Sequence, residues 1–286
     1  MPEEQMQEPS FVYMLRCARG DLYTGWTNDP AARIHAHKKG VGAKYTRGFK
    51  AKRFAYLEQC STKSAGLQRE AAIKKLKKAE KETLCSAWAA AQRPSITLGT
   101  LADTADILAL YQWYVLNHTA TYQITPPTLP EYQAWVRETL ERSPILLARN
   151  ASGKLLGFAC GHLYRPREAY AWDIETTIYC DRDARGLGVG DLLYPPLLDI
   201  MERNGYYTAY AILSDPNPAS EAFHIRQGFH LEGRSPRAGF KFGKWQGTSK
   251  WALQLKKGKG TPAPVKMIAQ EEMQAVLEKY EALRTD

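Results

Sequence analysis

The sequence predicts an α/β (α+β) protein in which a small basic α/β domain precedes a larger domain with a mixed β-sheet and flanking helices. Short runs of alternating apolar residues, typical of strands, are interspersed with segments of helical apolar spacing. Residues 1–93 carry 18 Lys and Arg against 9 Asp and Glu, whereas residues 94–286 carry 21 of each. Pro94 disfavours helix at the residue before it, which predicts the domain boundary there.

The composition excludes several classes of protein. No run of about 18 apolar residues exists, so we expect no membrane span, and the acidic, polar start of the chain does not have the form of a secretory signal. The five scattered cysteines disfavour a zinc site or a disulfide framework and indicate a reducing, cytoplasmic location. A basic module joined to a neutral one predicts that residues 1–93 bind a polyanion, which we expect to be DNA.

The basic domain begins with a predicted β-hairpin. Residues 10–17 and 22–26 have the composition of strands, and they flank a glycine turn at residues 19–21. Asp29 is the predicted N-cap of the helix that follows, with Pro30 at its first position. The hairpin and the helix therefore lie next to each other in the sequence, with almost no connecting chain.

Charged and polar side chains on the following elements can meet this hairpin. Arg33 and His37 are four residues apart and share one face of the first helix. A third strand is predicted at residues 54–57, and Thr62 caps a helix that carries Glu70. We expect the hairpin tyrosines, the helix face and this carboxylate to form one group.

These positions resemble those of the GIY-YIG nuclease family, and of its small single-domain members in particular, over about residues 9 to 90. Two motifs stand for the family name, Val12-Tyr13 and Tyr23-Thr24-Gly25. The sequence departs from them at Phe11, where a glycine would stand, and at Thr24. The resemblance implies a GIY-YIG nuclease-like domain at residues 9–92 with its functional positions at Tyr13, Tyr23, Arg33, His37, Tyr45 and Glu70.

The resemblance implies metal-dependent hydrolysis of a phosphodiester. Glu70 would hold one Mg²⁺ or Mn²⁺ ion, and Arg33 would stabilise charge on the phosphoryl oxygens. Either Tyr13 or Tyr23 would orient or deprotonate the attacking water, with help from the metal because the pKa of a free tyrosine is about 10. The alternative is that both tyrosines are cross-strand packing residues that face each other across the hairpin. The lysines between 74 and 81 are either a solvated face or phosphate contacts.

The second domain is predicted to alternate strands and helices. Pro195 and Pro196 interrupt the pattern of its central helix, where an interior proline costs about 3 kcal/mol. A flexible segment begins at Lys256, and residues 267 to 283 form an amphipathic stretch that packs on either domain or binds a partner.

The predicted elements of the second domain follow in chain order. They are a strand at 96–98, a helix from Asp103 or Thr104 to Asn117, a loop at 119–127, a helix at 129–140, strands at 145–148 and 154–163, the strand of Glu175, the helix after Gly190, and strands at 207–213, 229–234 and 250–255.

A glycine-rich turn joins the strand of Glu175 to the central helix. The run from Arg185 to Gly190 reads Arg-Gly-Leu-Gly-Val-Gly. Glycines lack Cβ atoms, so the free N–H groups at the start of a helix become accessible to a bulky anion. This spacing differs from both the dinucleotide fingerprint and the P-loop.

Further motifs follow in a recognisable order. The run Asn217-x-x-Ser220-x-x-Phe223-His224 comes after the glycine turn. Together they resemble the pyrophosphate loop and pantetheine-contacting helix of the GCN5-related N-acetyltransferases (GNAT). The run from Arg167 to Thr177 and the run from Gly239 to Trp245 resemble the phosphinothricin acetyltransferase branch of that family. The resemblance implies an acetyltransferase domain at residues 94–256, followed by a linker and C-terminal helical tail at residues 257–286.

The resemblance implies acetyl transfer from acetyl-CoA to an amino group. Glu175 would be the general base, directly or through a water, and His224 would return a proton to the CoA sulfur. Tyr122, Arg167, Tyr170 and Trp172 would contact the acceptor. The positions implied to hold acetyl-CoA are Ile178, Tyr179, Arg185, Gly186, Leu187, Gly188, Val189, Gly190, Asn217 and Ser220.

Two functions remain open at this point. The first is N-acetylation of a small amino-acid-like acceptor of the phosphinothricin or methionine sulfoximine type, fused to an endonuclease-like DNA-binding module. An arginine near the acceptor site favours it, because arginine pairs well with a carboxylate or phosphinate. The second is a nucleic-acid-binding protein with a weak nuclease site whose acetyltransferase domain modifies a protein partner. A homodimer through the acetyltransferase domain is compatible with both.

Overall fold

Two separate β-sheets organise the chain. The structure, a computed structural model, describes residues 10–38, 51–92, 94–184, 187–258 and 260–283. The chain divides into two units, Met1–Arg93 and Pro94–Asp286. Within the described residues the first unit holds a three-stranded sheet and the second a seven-stranded sheet, each with helices packed on it. The predicted α/β class is confirmed. Of the predicted functional positions, Tyr45, Arg185 and Gly186 lie outside the described residues.

The N-terminal sheet is antiparallel throughout, in the order β2-β1-β3. Its apolar face packs against the helices around Val12, Met14, Tyr56 and Ile73, which are at most 8% exposed. This core is small, so the apolar packing of the unit depends on a few large side chains. The elements are β1 (Ser10–Cys17), β2 (Leu22–Thr27), α1 (Pro30–Lys38), β3 (Ala51–Cys60), α2 (Lys63–Lys75) and α3 (Lys78–Gln92).

Two helix starts in this unit follow the capping chemistry expected from the sequence. The Asp29 carboxylate accepts a hydrogen bond from the N–H of Ala32 at 2.9 Å, and the Thr62 hydroxyl accepts one from the N–H of Ala65 at 3.1 Å. The helix α2 ends at Lys75, because Leu76 has extended backbone and follows the helix.

The second sheet has the order β4-β5-β6-β7-β8-β10-β9. Neighbouring strands are antiparallel except for β7 and β8, which are parallel. The long antiparallel pair β9–β10 extends well beyond the predicted strands. The strands are β4 (Ser95–Leu98), β5 (Leu146–Arg149), β6 (Leu155–Leu163), β7 (Asp173–Cys180), β8 (Thr208–Asp215), β9 (His230–Lys241) and β10 (Lys244–Gln254).

The helices of the second unit are α4 (Thr104–Asn117), α5 (Leu129–Leu140), α6 (Val189–Asn204), α7 (Pro218–Arg226) and α8 (Gln270–Ala282). The central helix α6 continues through Pro195 and Pro196. Proline lacks the N–H of a helical hydrogen bond, but burial of residues such as Leu193, Leu197 and Met201 in the main core holds the helix together. Tertiary packing therefore outweighs the local penalty.

The C-terminal helix α8 is part of the second unit. Met273, Val276 and Leu277 are at most 7% exposed and belong to the same apolar core as α6. The Glu281 carboxylate accepts a hydrogen bond from the N–H of Ile96 on β4 at 2.9 Å. The sequence left the contact of this tail open, and the structure places it on the second unit. No helix in the described ranges is long and apolar enough to span a membrane.

Candidate active site

The strands β7 and β8 diverge in the middle of the second sheet. Their ladder consists of the pairs Asp173↔Thr208, Ile174↔Ala209 and Glu175↔Tyr210. Beyond these pairs, residues 176–179 of β7 and 212–214 of β8 line a narrow cavity of about 70 Å³. Strands that separate in this way expose backbone N–H and C=O groups, and an extended ligand can pair with them.

The start of α6 packs against α7, which lines this cleft, and it is shaped by two glycines. Gly188, the N-cap, has a φ of +71°, a left-handed conformation that glycine adopts without strain. A Cβ on Gly190 would lie 2.9 Å from the ring of Phe223, so this glycine permits close packing of α6 against α7. A helix N-terminus with accessible N–H groups suits a pyrophosphate, and the cleft residues thus fit the CoA moiety.

Asn217 and Ser220 border the other wall of the cleft. The Asn217 side chain caps α7 by accepting a hydrogen bond from the N–H of Ser220 at 3.3 Å. Both residues line the narrow cavity together with Ile178 and Tyr179. The structure thus brings together four of the positions implied to hold acetyl-CoA, while Leu187 and Val189 pack into the apolar core.

His224 reaches the same cleft, but its ring is 2% exposed. Its Nδ1 lies 2.8 Å from the carbonyl of Ser220, and its Nε2 lies 3.2 Å from the hydroxyl of Tyr194. The Tyr194 hydroxyl in turn lies 2.7 Å from the hydroxyl of Thr176 on β7. Burial lowers the pKa of His224, so the ring is held neutral. These contacts make His224 a fixed part of the cleft wall, and they disfavour its predicted role as a proton donor.

Glu175 opens into a second, larger cavity of about 470 Å³ on the other side of the fork. Burial raises the pKa of its carboxyl, and the positive charge of His162 partly counters this effect. A base whose pKa is raised toward neutrality suits proton abstraction from an amine. Aromatic side chains dominate the walls of this acceptor cavity, namely Tyr111, Tyr122, Tyr132, Trp135, Phe158 and Tyr179.

The loop before α5 closes one side of the acceptor cavity and is fastened to the β9–β10 hairpin. The hydroxyl of Tyr122 donates a hydrogen bond to the carbonyl of Gly247. The buried Lys241 ammonium donates to the carbonyls of His118 and Thr121, both at 2.8 Å. A Cβ on Gly239 would lie 2.8 Å from the Tyr122 ring. Tyr122 therefore lines the same cavity as Glu175, and the hairpin holds it there.

The other predicted acceptor contacts lie elsewhere. Arg167 and Trp172 line a separate depression of about 470 Å³, which also includes His162. The Trp172 indole donates to the carbonyl of Ala263 at 2.7 Å, and the Tyr170 hydroxyl accepts a hydrogen bond from Arg165 at 3.0 Å. The structure therefore does not place these three residues in the cavity that holds Glu175.

In the N-terminal unit, three of the predicted residues meet at one atom. The Tyr13 hydroxyl lies 3.0 Å from Nε2 of His37 and accepts a hydrogen bond from Nε of Arg33 at 2.9 Å. Burial raises the pKa of Tyr13, while the bond to Arg33 opposes this shift. A Cβ on Gly25 would lie 2.4 Å from the Tyr13 hydroxyl, so only glycine fits there.

Tyr23 does not face Tyr13 directly, contrary to the expectation from the hairpin. Tyr13 is opposite Gly25 and Tyr23 is opposite Leu15, because the register sets the two tyrosines two positions apart. Their rings are diagonal neighbours with centroids 6.2 Å apart. This register leaves the space over Gly25 for the Tyr13 hydroxyl and its two partners.

Glu70 forms an ion pair with Lys74 at 2.8 Å. In the described part of the chain, no group of three or more His, Cys, Asp or Glu residues could hold a metal ion. Mg²⁺ usually binds one or two carboxylates together with waters and substrate phosphates, and Glu70 is an oxygen donor of the kind that this ion prefers.

Several residues of the site were not identified from the sequence. His162 is the cross-strand partner of Glu175, Tyr194 joins α6 to the cleft, and Tyr132 and Trp135 stack at 4.9 Å in the acceptor cavity. A signal for His162 was available, because it lies on the alternating strand β6. Residues on a strand that pairs with the strand of a catalytic residue are candidates for contact with that residue. The helical aromatics carry no such signal, since they have the spacing of ordinary core residues.

Comparison with known proteins identifies both units. Residues 9–83 match the model of the GIY-YIG catalytic domain, and residues 107–229 match that of the acetyltransferase (GNAT) family. A UPF0213 protein of Clostridium perfringens is 46% identical over 77 residues, which cover 27% of this chain and 83% of that protein. The N-terminal unit is thus similar to a small protein that consists mostly of this one domain.

The second unit is similar to characterised acetyltransferases. The L-methionine sulfoximine/L-methionine sulfone acetyltransferase of Pseudomonas paraeruginosa is 34% identical over 169 residues, 59% of this chain and 98% of that protein. The crystal structure of a phosphinothricin acetyltransferase from Sinorhizobium meliloti in complex with acetyl-CoA matches with a TM-score of 0.57 at 31% identity, covering 60% of this chain and 94% of that chain. This chain therefore belongs to the GNAT family of acetyltransferases, close to those that act on phosphinothricin and methionine sulfoximine, and carries a GIY-YIG domain at residues 9–83.

Proposed function

We propose that the second unit transfers the acetyl group of acetyl-CoA to the amino group of a small amino-acid-like acceptor. The observation that carries this proposal is the position of Glu175, at the fork of β7 and β8 and in the wall of the aromatic cavity. The cleft on one side of the fork suits the cofactor, and the cavity on the other side has a volume typical of small-molecule sites.

Each residue then has a defined task. Acetyl-CoA supplies the activated acetyl group, and the cleft-lining residues Ile178 and Tyr179 together with the N-terminus of α6 would hold it. Glu175 takes the proton from the attacking amine, since burial makes its carboxylate a stronger base. A thiol with a pKa of about 8.5 is a tolerable leaving group without a dedicated acid, which agrees with the neutral, fully bonded His224.

Two observations support a small amino-acid-like acceptor: the aromatic lining of the cavity and the substrates for which related proteins are named. Two related proteins are named for methionine sulfoximine and phosphinothricin, both amino-acid-like molecules. Aromatic rings can pack against the apolar part of such an acceptor. They also attract its amino group by cation–π interaction while that group is protonated. Arg167 would reach an acceptor carboxylate only past His162, which separates its depression from the acceptor cavity.

An acetyl-CoA consumption assay tests the proposal. The acceptors are the common amino acids, their sulfoximine, sulfone and phosphinate analogues, and a set of short peptides. We expect turnover with one of the amino-acid analogues. Activity on peptides alone would contradict the small-molecule acceptor and favour the alternative, a protein partner.

We also propose a second activity, Mg²⁺- or Mn²⁺-dependent cleavage of DNA by the N-terminal unit. The convergence of Arg33 and His37 on the Tyr13 hydroxyl favours it over simple packing, because packing alone needs no buried polar network. Three exposed lysines at the junction of α2 and α3 would contact phosphates, namely Lys75, Lys77 and Lys78. The test is metal-dependent nicking of a supercoiled plasmid, and no cleavage with either metal would contradict it.

The predicted homodimer through the acetyltransferase domain remains a proposal. Phe240, Phe242 and Trp245 are 54–57% exposed on the β9–β10 hairpin, and a group of exposed aromatic residues often marks a protein contact. Light scattering of wild type and of Trp245→Ala tests whether this hairpin forms the contact.

A further inference from the structure

We propose that His162 is a positioning residue that passes the proton collected by Glu175 to solvent through the arginine-lined depression. The inference rests on the proposed acetyl transfer and extends it to the fate of the proton. It assigns a role to a side chain that faces Glu175 directly across two adjacent strands.

The geometry of the pair supports a proton relay. The His162 Nε2 lies 3.9 Å from Oε1 of Glu175, and both side chains retain a quarter or more of their surface exposed, 29% and 25%. This distance exceeds a hydrogen bond, so direct proton transfer requires a small side-chain rotation or one bridging water. The Thr177 hydroxyl lies 3.0 Å from the same Nε2. Because a hydroxyl can donate or accept, it stabilises the ring in both protonation states.

His162 lies between two cavities of the second unit. It lines the acceptor cavity that holds Glu175, and it also lines the neighbouring depression with Arg167 and Trp172. An acceptor that fills the first cavity would cut Glu175 off from bulk water. The second depression then gives the imidazole a route to solvent that the acceptor does not block.

Charged side chains of both signs surround His162. In the acceptor cavity it faces Glu175, with Glu131 farther along the wall. In the depression, three arginines are balanced by three acidic residues: Arg142, Arg165 and Arg167 against Glu141, Glu168 and Asp173. The depression therefore presents no excess of acidic or basic side chains to the ring.

The step balances without any further reactant. Transfer of an acetyl group from a thioester to an ammonium acceptor releases one proton when CoA leaves as a thiol. Glu175 takes the proton from the amine nitrogen, Nε2 of His162 takes it from the carboxyl, and the other ring nitrogen gives up its proton to water or buffer. No group is oxidised or reduced. Glu175 returns to its starting state, and the ring regains its first tautomer by a second proton exchange with water or buffer.

The test compares His162→Ala, the conservative His162→Gln and the matched control His230→Ala, which removes an exposed histidine from β9. Rates are measured with the acceptor found in the consumption assay, at low and high buffer and with added imidazole. We expect the kcat of His162→Ala to fall by about 10²-fold at low buffer, the lower range for a proton-transfer group, with KM for acetyl-CoA unchanged. Imidazole should restore the rate of His162→Ala saturably, and His230→Ala should match wild type.

The pH profile gives a second readout. The charge of His162 lowers the pKa of Glu175, so His162→Gln should move the acid limb of kcat/KM to higher pH. An unchanged kcat at low buffer, or a loss that imidazole does not restore, would overturn the relay while leaving the acetyltransferase function intact. A wild-type protein without acetyl transfer to any acceptor would instead refute the proposed function. Loss of acetyl-CoA binding in His162→Ala would indicate a purely structural role and would also overturn the relay.

Discussion

The hydroxyl of Tyr194 lies 3.2 Å from Nε2 of His224, and it connects this buried imidazole to Thr176 on β7. Nδ1 of His224 donates to the carbonyl of Ser220, and its Nε2 has the Tyr194 hydroxyl as a partner. The ring is thereby saturated with partners inside the protein. A side chain in this state maintains the shape of the cleft and has no spare proton for a leaving group.

His224→Phe should therefore reduce kcat by less than about tenfold, well below the range for a general acid. Tyr194 keeps its contact with Thr176 in this variant. The measurement is kcat at saturating acetyl-CoA, accompanied by a thermal melt. A loss of about 10²-fold or more with normal stability would show that His224 is the acid.

Arg33→Ala and Glu70→Ala should abolish metal-dependent DNA cleavage and leave DNA binding nearly unchanged. One guanidinium and one carboxylate are a small part of a surface with many cations, whereas charge stabilisation and metal binding depend on them. Plasmid nicking and a binding titration measure the two effects. Arg69→Ala, which removes an arginine paired with Glu58 away from Tyr13, is the matched control. Unchanged cleavage in both test variants would place the chemistry elsewhere.

DNA affinity should reside in residues 1–93 and fall steeply with salt, because the positive charge excess is confined to them. Each phosphate contact contributes a slope of about −0.9 to the plot of log K against log salt. Titration of a fluorescent duplex at about 50 to 200 mM salt, where such contacts dominate, measures the slope. Equal affinity of residues 94–286, or a flat response, would refute this assignment.

Leu277→Ala should destabilise the acetyltransferase unit by about 2–5 kcal/mol, the usual range for a fully buried leucine. Leu277 is 1% exposed in the core shared with α6. Chemical denaturation monitored by tryptophan fluorescence measures the change, and Glu278→Ala on the exposed face of the same helix is the control. By the same reasoning a fragment that ends at residue 256 should fold poorly. Equal stability of both variants would mean that α8 is dispensable.

The sequence predicted those helices and strands that are marked by residues close together in the chain. The helix α5 was predicted with its observed bounds because Thr128, Pro130 and Glu131 form a strong N-terminal signal. The strand of Glu175 was predicted from its alternation and the glycine turn that follows, and the role of Glu175 came from the resemblance to the GNAT family. Both cases depend on residues that are neighbours in the chain.

Contacts between distant residues were not predictable in the same way. The pairing of His162 with Glu175 depends on the register set by the connection at residues 164–172. The same connection sends Arg167 and Trp172 to the adjoining depression, although they are close to Glu175 in sequence. Tyr194 has the spacing of a core residue, and only the packing of α6 against β7 reveals its polar contact.

The most direct test of the account is the pH dependence of acetyl transfer by Glu175→Gln. The amide keeps the shape of the side chain but cannot take a proton, so kcat should fall by about 10²–10⁴-fold, while the affinity for acetyl-CoA, measured by calorimetry, should barely change. In the wild type, burial raises the pKa of Glu175, and only the carboxylate acts as a base, so the rate should rise with pH through this ionisation. Glu175→Gln should lose that limb of the profile. Near-wild-type turnover with the same pH profile would contradict the assignment of Glu175 as the base.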